Sequence, residues 1–203
     1  MIMASESEFT DESIDVIPTY EDRGDARRVP WLNPRHPEHQ LEFVFREKDE
    51  EGNYQFVKRT SKEIFKDKRV VIFGLPGAFT PTCSDHQLPE YELRYDDFIA
   101  KGIDEVYCVS VNDAFVMNAW FEKLGIEKVK PLPDGNGWFT WACNLMVSKH
   151  NVGFGNRSWR YAAIVDDGIF ECCLEESNKC ANSEEDRYVQ SKPEKVLERL
   201  GNN

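Results

Sequence analysis

An alternation of apolar and polar residues marks the first regular element of the chain. In residues 41–46, Leu41, Phe43 and Phe45 would share one face of a strand, because successive strand side chains point to opposite faces. A second run of the same kind, residues 54–57, follows the polar, glycine-containing residues 49–53. The two runs therefore predict a β-hairpin.

Other apolar runs predict a larger sheet. Residues 70–75 and 105–111 are nearly continuous in apolar side chains, which is typical of strands buried on both faces. Residues 130–133 indicate a short extended segment. Residues 161–165 and 169–174 flank the turn sequence Asp-Asp-Gly and so predict a second hairpin.

Four segments between these strands have the features of helices. Residues 60–65 predict a short capped helix, and residues 113–124 predict an amphipathic helix ended by a glycine. Residues 81–101 predict one long helix with a kink at Pro89, because proline cannot donate the hydrogen bond of a helix interior. Residues 193–200 predict the final helix.

The order of these elements indicates an α/β fold with a thioredoxin-like layout, a central sheet flanked by helices. We assign this domain to residues 39–203. Residues 1–38 are rich in acids at first and in prolines later, without a sustained period. We interpret them as a flexible N-terminal extension, partly docked through Trp31 and Leu32. An adaptable tail is the simpler interpretation, and a role in regulation or assembly is the alternative.

Composition and charge exclude some classes of protein. A hydrophobic content of 40% over 203 residues predicts a folded domain with a sizeable core. The formal net charge of −12 argues against binding to nucleic acid and to anionic membrane surfaces. The chain has neither a stretch of about 18 apolar residues nor a basic, apolar leader, so we expect no membrane span and a cytoplasmic location.

The strongest chemical signal is the position of Cys83. It follows the predicted strand 70–75 and lies in the first turn of the predicted helix that begins at Pro81. Unpaired N–H groups and the positive end of the helix dipole favour a thiolate there, and the thiolate is the reactive form of cysteine. Thr80 is a suitable helix cap. A buried, inert cysteine is the alternative at such a position.

The neighbouring residues extend this signal into a pattern, P-x-x-x-T-x-x-C, formed by Pro76, Thr80 and Cys83. This pattern resembles the active site of the peroxiredoxins, and the run GLPGAFTPTCS at residues 74–84 resembles the peroxiredoxin 5, or type II, subfamily. The similarity continues through VSVND at 109–113, DGNG with FT at 134–140, and GFGNRSWRY at 153–161. It covers about residues 39–203.

The resemblance implies a thiol peroxidase on the peroxiredoxin variant of the thioredoxin-like fold, with a mixed central sheet. Cys83 would be the peroxidatic nucleophile that attacks a hydroperoxide and becomes a sulfenic acid. Thr80 would orient the peroxide, Pro76 would shield the pocket from water, and Arg160 would favour the thiolate and hold the peroxide oxygens. Arg157 is the competing arginine, to which we assign a loop or surface role.

The thiol that restores Cys83 is less determined by the sequence. Some subfamily members have a resolving cysteine near the position of Cys108, 25 residues after Cys83, although a buried strand residue is the alternative. Other members have a C-terminal resolving cysteine, for which Cys180 is the candidate despite a poor local match. The third route uses an external thiol. The stretch at 153–161 resembles bacterial members that use glutathione and glutaredoxin, and we favour this route, with thioredoxin as another reductant.

The remaining chemistry-bearing residues receive structural interpretations. Adjacent Cys172 and Cys173 would face opposite sides of a strand, Cys143 would belong to the core, and His86 would lie on an exposed helix face. We expect no metal and no bound cofactor. The resemblance also implies a homodimer. A redox-signalling or binding protein with little turnover is the alternative function, and the absence of C-x-x-C excludes a dithiol oxidoreductase.

Overall fold

The computed structural model of the protein describes residues 41–201. The predicted extension, residues 1–38, lies outside the described residues. In chain order the strands are β1 (Glu42–Lys48), β2 (Tyr54–Thr60), β3 (Arg69–Gly74), β4 (Glu105–Ser110), β5 (Lys130–Pro133), β6 (Met146–Ser148), β7 (Asn156–Ser158), β8 (Tyr161–Asp166) and β9 (Ile169–Glu175). The α-helices are α1 (Ser61–Phe65), α2 (Leu88–Leu93), α3 (Tyr95–Ala100), α4 (Ala114–Leu124), α5 (Trp138–Ala142) and α6 (Pro193–Gly201). A π-helical turn spans Cys83–Gln87, and a 3-10 turn spans His150–Val152.

Five of these strands form a mixed central sheet in the order β5-β4-β3-β8-β9. Strand β3 is parallel to β4 and antiparallel to β8, so it occupies the middle of the sheet. Its residues Val70, Val71, Ile72 and Phe73 are fully buried, which explains why β3 is apolar throughout instead of alternating. The predicted hairpin around residues 166–168 is β8–β9, and the one around residues 49–53 is β1–β2.

Apolar layers cover both faces of the sheet. One layer joins β3 and β4 to the helices that follow Cys83, to α4 and to α6, and it contains the stacked rings of Phe73, Tyr91 and Phe98. The other joins the sheet to β1, α1 and α5 through residues such as Phe65 and Phe139. The predicted α/β fold with a thioredoxin-like layout is confirmed. Within residues 41–201, no helix is long and apolar enough to span a membrane.

The single kinked helix predicted over residues 81–101 is wrong in its interior. The chain forms a π-helical turn, then α2, and changes direction at Arg94 before α3. Pro89 accounts for the first irregularity, because its ring would clash with the carbonyl four residues earlier in a regular helix. Instead, the N–H of Leu88 donates to the carbonyl of Cys83, five residues before it. The residues that follow Cys83 therefore begin with a widened turn.

The capped helices form as the sequence predicts. Thr60 and Glu63 make a reciprocal capping box at α1, with the Glu63 carboxylate 2.7 Å from the Thr60 nitrogen. Asp113 caps α4, and Gly125 ends it in the left-handed conformation with φ of 65°.

Helix α5 and the strands β6 and β7 were not predicted from the sequence. Helix α5 has only five residues and starts after Gly137, whose φ is 72°. Its cap comes from outside the helix: the Asp134 carboxylate accepts from the N–H groups of Phe139 at 3.1 Å and Thr140 at 2.8 Å. Strands β6 and β7 have three residues each, too few to show an alternation.

The Asp134 cap makes the stability of the protein depend on pH. Burial raises the pKa of this carboxyl from 3.8 to about 6, although the N–H donors of α5 partly oppose the shift. Folding therefore favours the protonated form, and this contribution to stability is lost as the pH rises through the folded pKa. Relative to Asp134→Asn, we expect the wild type to lose about 2 kcal/mol of unfolding free energy between pH 4.5 and 7.5. Urea unfolding of both proteins at the two pH values measures this difference, and parallel changes in both would contradict it.

Candidate active site

The sheet and the helix start place Cys83 in the interior. Strand β3 ends at Gly74, and the following loop leads to Pro81, where the helical segment begins. The Thr80 carbonyl accepts the first helical hydrogen bond from Ser84 at 3.0 Å. The Cys83 side chain has no exposed surface and packs in the apolar layer below β3 and β4. A small residue is required at Gly74, since a Cβ there would lie 2.0 Å from the Tyr161 ring.

A buried arginine lies against this cysteine. Arg160 precedes β8 directly and is 2% exposed. Its Nη1 donates to the Cys83 sulfur at 3.5 Å and to the Gln87 Oε1, and its Nη2 donates to the Asp186 carboxylate. Burial by itself would lower the pKa of Arg160, but the negative charges of Cys83 and Asp186 raise it overall. The guanidinium is therefore a permanent cation at the sulfur.

Pro76 and Thr80 both lie on the loop between β3 and the helical segment that contains Cys83. Pro76 is buried, and Thr80 is partly buried. The Thr80 hydroxyl donates to the Gly77 carbonyl at 2.9 Å. This bond shapes the loop before Cys83. Among the described residues no backbone N–H donates to the Thr80 hydroxyl, so the side-chain cap predicted from the sequence does not form. Its oxygen keeps lone pairs and its proton can rotate toward another acceptor.

The competing arginine, Arg157, has a different task. It lies on β7 and is half-buried, which corrects the loop or surface position predicted for it. Its Nη1 lies 3.3 Å from the Asn112 Oδ1, and the same oxygen accepts from the N–H of Ala78 at 3.0 Å. Ser110 donates to this oxygen as well, at 2.6 Å. Arg157 and Asn112 thus fix the backbone of the loop that carries Thr80.

A surface segment, residues 184–191, contacts Arg160, and we name it the strap. The buried carboxylate of Glu176 anchors it: one oxygen accepts from the N–H groups of Val189, Gln190 and Ser191 and from the Ser191 hydroxyl, all at 2.8–2.9 Å. The Tyr91 hydroxyl donates a further hydrogen bond to the Ser191 carbonyl at 2.8 Å. The C-terminal end of the strap is therefore tied both to the residue that follows β9 and to α2.

Two strap residues reach the arginine. Asp186 forms the ion pair with its Nη2, and the ring of Tyr188 lies 5.9 Å from the guanidinium carbon. The Tyr188 hydroxyl donates in turn to Glu90 on α2 at 2.7 Å. The strap thus connects α2 with the residue that lies against Cys83.

Two buried donors in the hydrogen-bond network around Arg160 are left without an acceptor in the described part of the chain. Within residues 41–201, the buried donors Arg160 Nε and Gln87 Nε2 have no hydrogen-bond partner. Unpaired buried donors are uncommon in folded proteins, and a catalytic role, a water molecule or an ion can account for them.

The two candidates for a resolving cysteine lie in different surroundings. Cys108 is fully buried on β4, hydrogen-bonded between β3 and β5, and it belongs to the same apolar layer as Cys83. Burial, together with the nearby charge of Cys83, raises the pKa of the Cys108 thiol well above its ordinary value. Cys180 is exposed. The loop that carries it is tied to the β6–β7 side. The Asn182 N–H donates to the Ser148 carbonyl on β6 at 2.7 Å, and the Lys179 amine donates to the Asn144 carbonyl just before β6 at 3.0 Å.

The other chemistry-bearing residues are not among the hydrogen-bond partners of Cys83 and Arg160. Cys172 packs against the layer that holds Cys83, whereas the neighbouring Cys173 is exposed, in agreement with the predicted opposite orientations. Cys143 is partly buried against the other layer. His86 is exposed and lies 3.9 Å from Glu90. In the described part of the chain, no group of three or more His, Cys, Asp or Glu residues could hold a metal ion.

Comparison with known proteins identifies the family. The Redoxin family model matches residues 49–183. Peroxiredoxin y4vD of Sinorhizobium fredii is 54% identical over 147 residues, which cover 72% of this chain and 78% of the relative. The chain is a peroxiredoxin.

Further relatives refine this assignment. The hybrid peroxiredoxin hyPrx5 of Haemophilus influenzae is 46% identical over 62% of this chain and 52% of that protein. The crystal structure of the Plasmodium falciparum antioxidant protein, a 1-Cys peroxiredoxin, has a TM-score of 0.77 at 35% identity and covers 81% of this chain and 97% of that one. The peroxiredoxin described here is of the type II, peroxiredoxin 5-like kind. It is a peroxidase, an oxidoreductase that reduces peroxides with electrons from thiols.

Sequence reasoning found part of this peroxiredoxin site and missed its supporting residues. It singled out Pro76, Thr80, Cys83 and Arg160; the structure shows Arg160 in contact with Cys83, and Pro76 and Thr80 lie on the loop that precedes Cys83. It gave no role to Gln87, Asn112, Glu176, Asp186 or Tyr188. Asn112 lay inside a run that resembles the family, which was the one available signal.

The anchoring of the strap leads to a test of stability. In Glu176→Gln, a neutral oxygen replaces the carboxylate that accepts four hydrogen bonds, and such bonds are about half as strong without the charge. We expect a loss of about 2 kcal/mol in unfolding free energy and faster proteolytic cleavage within residues 184–191. The control is Glu175→Gln, whose partner is Lys179, 2.6 Å away, and which should change stability by less than about 1 kcal/mol. Equal effects of the two changes would show that the strap is held by other contacts.

Proposed function

We propose that this peroxiredoxin reduces hydrogen peroxide and small organic hydroperoxides at Cys83. The observation that carries the proposal is the contact between Arg160 Nη1 and the Cys83 sulfur at 3.5 Å. Both groups are buried, so water screens their attraction poorly. A thiolate is the form that such a site stabilises, and a thiolate attacks peroxides.

The first chemical step transfers one oxygen atom. The Cys83 thiolate attacks the terminal oxygen of the hydroperoxide, an S–O bond forms, and the O–O bond breaks. The cysteine is oxidised to a sulfenic acid, and the peroxide is reduced to an alkoxide or hydroxide that takes a proton from solvent and leaves as alcohol or water. Negative charge moves from sulfur to the leaving oxygen during this step.

The surrounding residues act on that charge. Arg160 lies against the sulfur and has an unpartnered buried Nε donor, so it can stabilise both the thiolate and the peroxide oxygens. Thr80 would rotate its hydroxyl proton from the Gly77 carbonyl to the peroxide, which orients the substrate. Pro76 supplies a buried, donor-free wall that keeps water from the pocket.

This chemistry needs no bound cofactor, because the sulfur itself accepts the oxygen. Two electrons from thiols must then reduce the sulfenic acid. We propose that an external thiol supplies them, glutathione with glutaredoxin, and thioredoxin as the other reductant. A thiol condenses with the sulfenic acid to a mixed disulfide and water, and a second thiol displaces Cys83 as a thiolate.

The positions of the other cysteines support the external route. Cys108 is held in the sheet between two strands, and its raised pKa disfavours the thiolate that must attack. Cys180 lies on a loop fastened to the β6–β7 side. The similar Plasmodium falciparum protein is described as a 1-Cys peroxiredoxin. The homodimer and the cytoplasmic location stay predictions of the sequence.

Two substitutions test the assignment of the site. Cys83→Ser should abolish NADPH-coupled consumption of hydrogen peroxide. Arg160→Lys should lower the second-order rate constant about 100-fold, because one ammonium cannot replace a guanidinium that bonds three partners at once.

The matched controls are Cys173→Ser, an exposed cysteine, and Arg69→Lys, an arginine paired with Glu171 away from the site. Both should retain nearly the full rate. Wild-type activity in Cys83→Ser would sink the assignment of the nucleophile.

The recycling route has its own test. After one equivalent of hydrogen peroxide without added thiol, we expect Cys83 to be a sulfenic acid or a more oxidised species. Intact mass and peptide mapping after trapping with a sulfenic acid reagent measure this, and the same mapping with glutathione should give a Cys83–glutathione disulfide. A stoichiometric Cys83–Cys108 or Cys83–Cys180 disulfide would instead establish an internal resolving cysteine.

A further inference from the structure

The guanidinium of Arg160 is held at both of its terminal nitrogens. Its Nη1 points at the sulfur of Cys83 and the amide oxygen of Gln87, whereas its Nη2 bonds the carboxylate of Asp186 on the strap. The exposure of the two partners differs: the Arg160 side chain is 3% exposed and that of Asp186 is 46% exposed. A partly solvated carboxylate thus holds the outer side of a buried cation.

We propose that Asp186 is a positioning residue for peroxide reduction, which keeps Arg160 Nη1 directed at the Cys83 sulfur. The proposal rests on the proposed role of Arg160 in that reaction. Asp186 itself contacts neither sulfur nor substrate; it acts through the arginine.

The geometry of arginine explains why a second anchor matters. The side chain has several rotatable bonds, and immobilising it costs a considerable amount of conformational entropy. A guanidinium is planar, so one bond at Nη2 and one at Nη1 together fix the direction of its whole plane. With Nη2 released, Nη1 can turn away from the sulfur, and small displacements of catalytic groups reduce rates strongly.

Asp186 is itself well placed as an anchor. Directly after Tyr188, the strap is fastened to Glu176 through the N–H groups of residues 189–191 and the Ser191 hydroxyl. The Tyr188 ring lies 5.9 Å from the guanidinium carbon, and its hydroxyl is fixed on Glu90. These contacts keep the strap close to Arg160 independently of the ion pair.

Four other charged residues in or beside the strap have partners of their own. Glu185 and Arg187 bond each other, Glu90 accepts from Tyr188, and Glu176 accepts from the strap backbone and Ser191. Asp186 is thus the strap carboxylate that is bonded to Arg160. Its charge shares one cation with the Cys83 thiolate, so it also opposes the attraction of Arg160 for the sulfur.

These two effects of Asp186 can be separated by substitution. Asp186→Asn keeps an acceptor oxygen for Nη2 and removes the charge, whereas Asp186→Ala removes both. Glu185→Gln is the control, since it removes a neighbouring strap charge that bonds Arg187 and not Arg160. Single-turnover oxidation by hydrogen peroxide gives the rate constant. The rate of Cys83 alkylation by iodoacetamide against pH, followed by peptide mass spectrometry, gives the pH midpoint of thiolate formation.

We expect Asp186→Ala to lower the peroxide rate constant about 10-fold or more, and Asp186→Asn to stay within about threefold of the wild type. The alkylation midpoint of Asp186→Asn should move to lower pH, because the opposing negative charge is gone. Glu185→Gln should change neither quantity. If the alanine variant does not fold, as judged by circular dichroism, Asp186→Ser serves as the truncation.

Equal rate losses in the asparagine and truncation variants, or no loss in either, would overturn the positioning role. The Cys83→Ser and Arg160→Lys variants distinguish this result from failure of the proposed function. If those two variants keep full activity, the site assignment itself is wrong. If they lose activity and the Asp186 variants do not, the role of Asp186 alone is excluded.

Discussion

The buried guanidinium of Arg160 is the group on which the rest of the site depends. An uncompensated charge in an apolar interior is strongly unfavourable, so such a cation persists only with bonded partners. Its partners come from distant parts of the chain: Cys83 and Gln87 from the helical segment after β3, and Asp186 from the strap. Arg160, which precedes β8, therefore links its own segment to the helical segment after β3 and to the strap. The central sheet alone would not bring these three segments together.

The π-helical turn has a place in this arrangement. Cys83 and Gln87 are its first and last residues, and both side chains bond the same Nη1 atom. Pro89 prevents a regular helical hydrogen bond at this point, so the turn is widened directly beside the reactive sulfur. Turns of this kind recur at functional sites, where the widened backbone directs side chains that a regular helix would place elsewhere. The same proline that breaks the helix thus contributes to the geometry of the network.

The longer strands, the capped helices and the candidate nucleophile Cys83 followed from local signals. The buried runs at β3 and β4, the capping pair Thr60 and Glu63, and the proline-started helix before Cys83 each depend on residues close in sequence. The prediction of one long helix over residues 81–101 failed because Pro89 leads to a π-helical turn. Such a turn has a hydrogen bond between residues five apart, which a simple kink in an α-helix does not contain. Helix α5 was missed because its cap, Asp134, acts across a turn on a helix of five residues.

Arg160 was found through family resemblance, and no local pattern connects it with Cys83, 77 residues away. The supporting residues could not be predicted for the same reason: Glu176 and Asp186 are acidic residues in a polar stretch, where such residues are usually solvated. Only the fold shows that one is buried beneath the strap backbone and the other lies on Arg160.

Cys83 and Cys108 share an apolar layer but differ in how firmly the backbone holds them. Cys108 lies in β4 and is hydrogen-bonded to strands on both sides, whereas Cys83 lies in an irregular turn at the start of a helical segment. Irregular segments with few ladder bonds open at lower free energy than central strands do. By this argument Cys83 is easier to expose than Cys108, which suits the role proposed for Cys83. Because burial also raises the pKa of Cys108, its thiol is a poor nucleophile where it stands. For an external thiol to reach Cys83, only the π-helical turn would have to open. A disulfide between Cys83 and Cys108 would also require β4 to separate from its neighbouring strands.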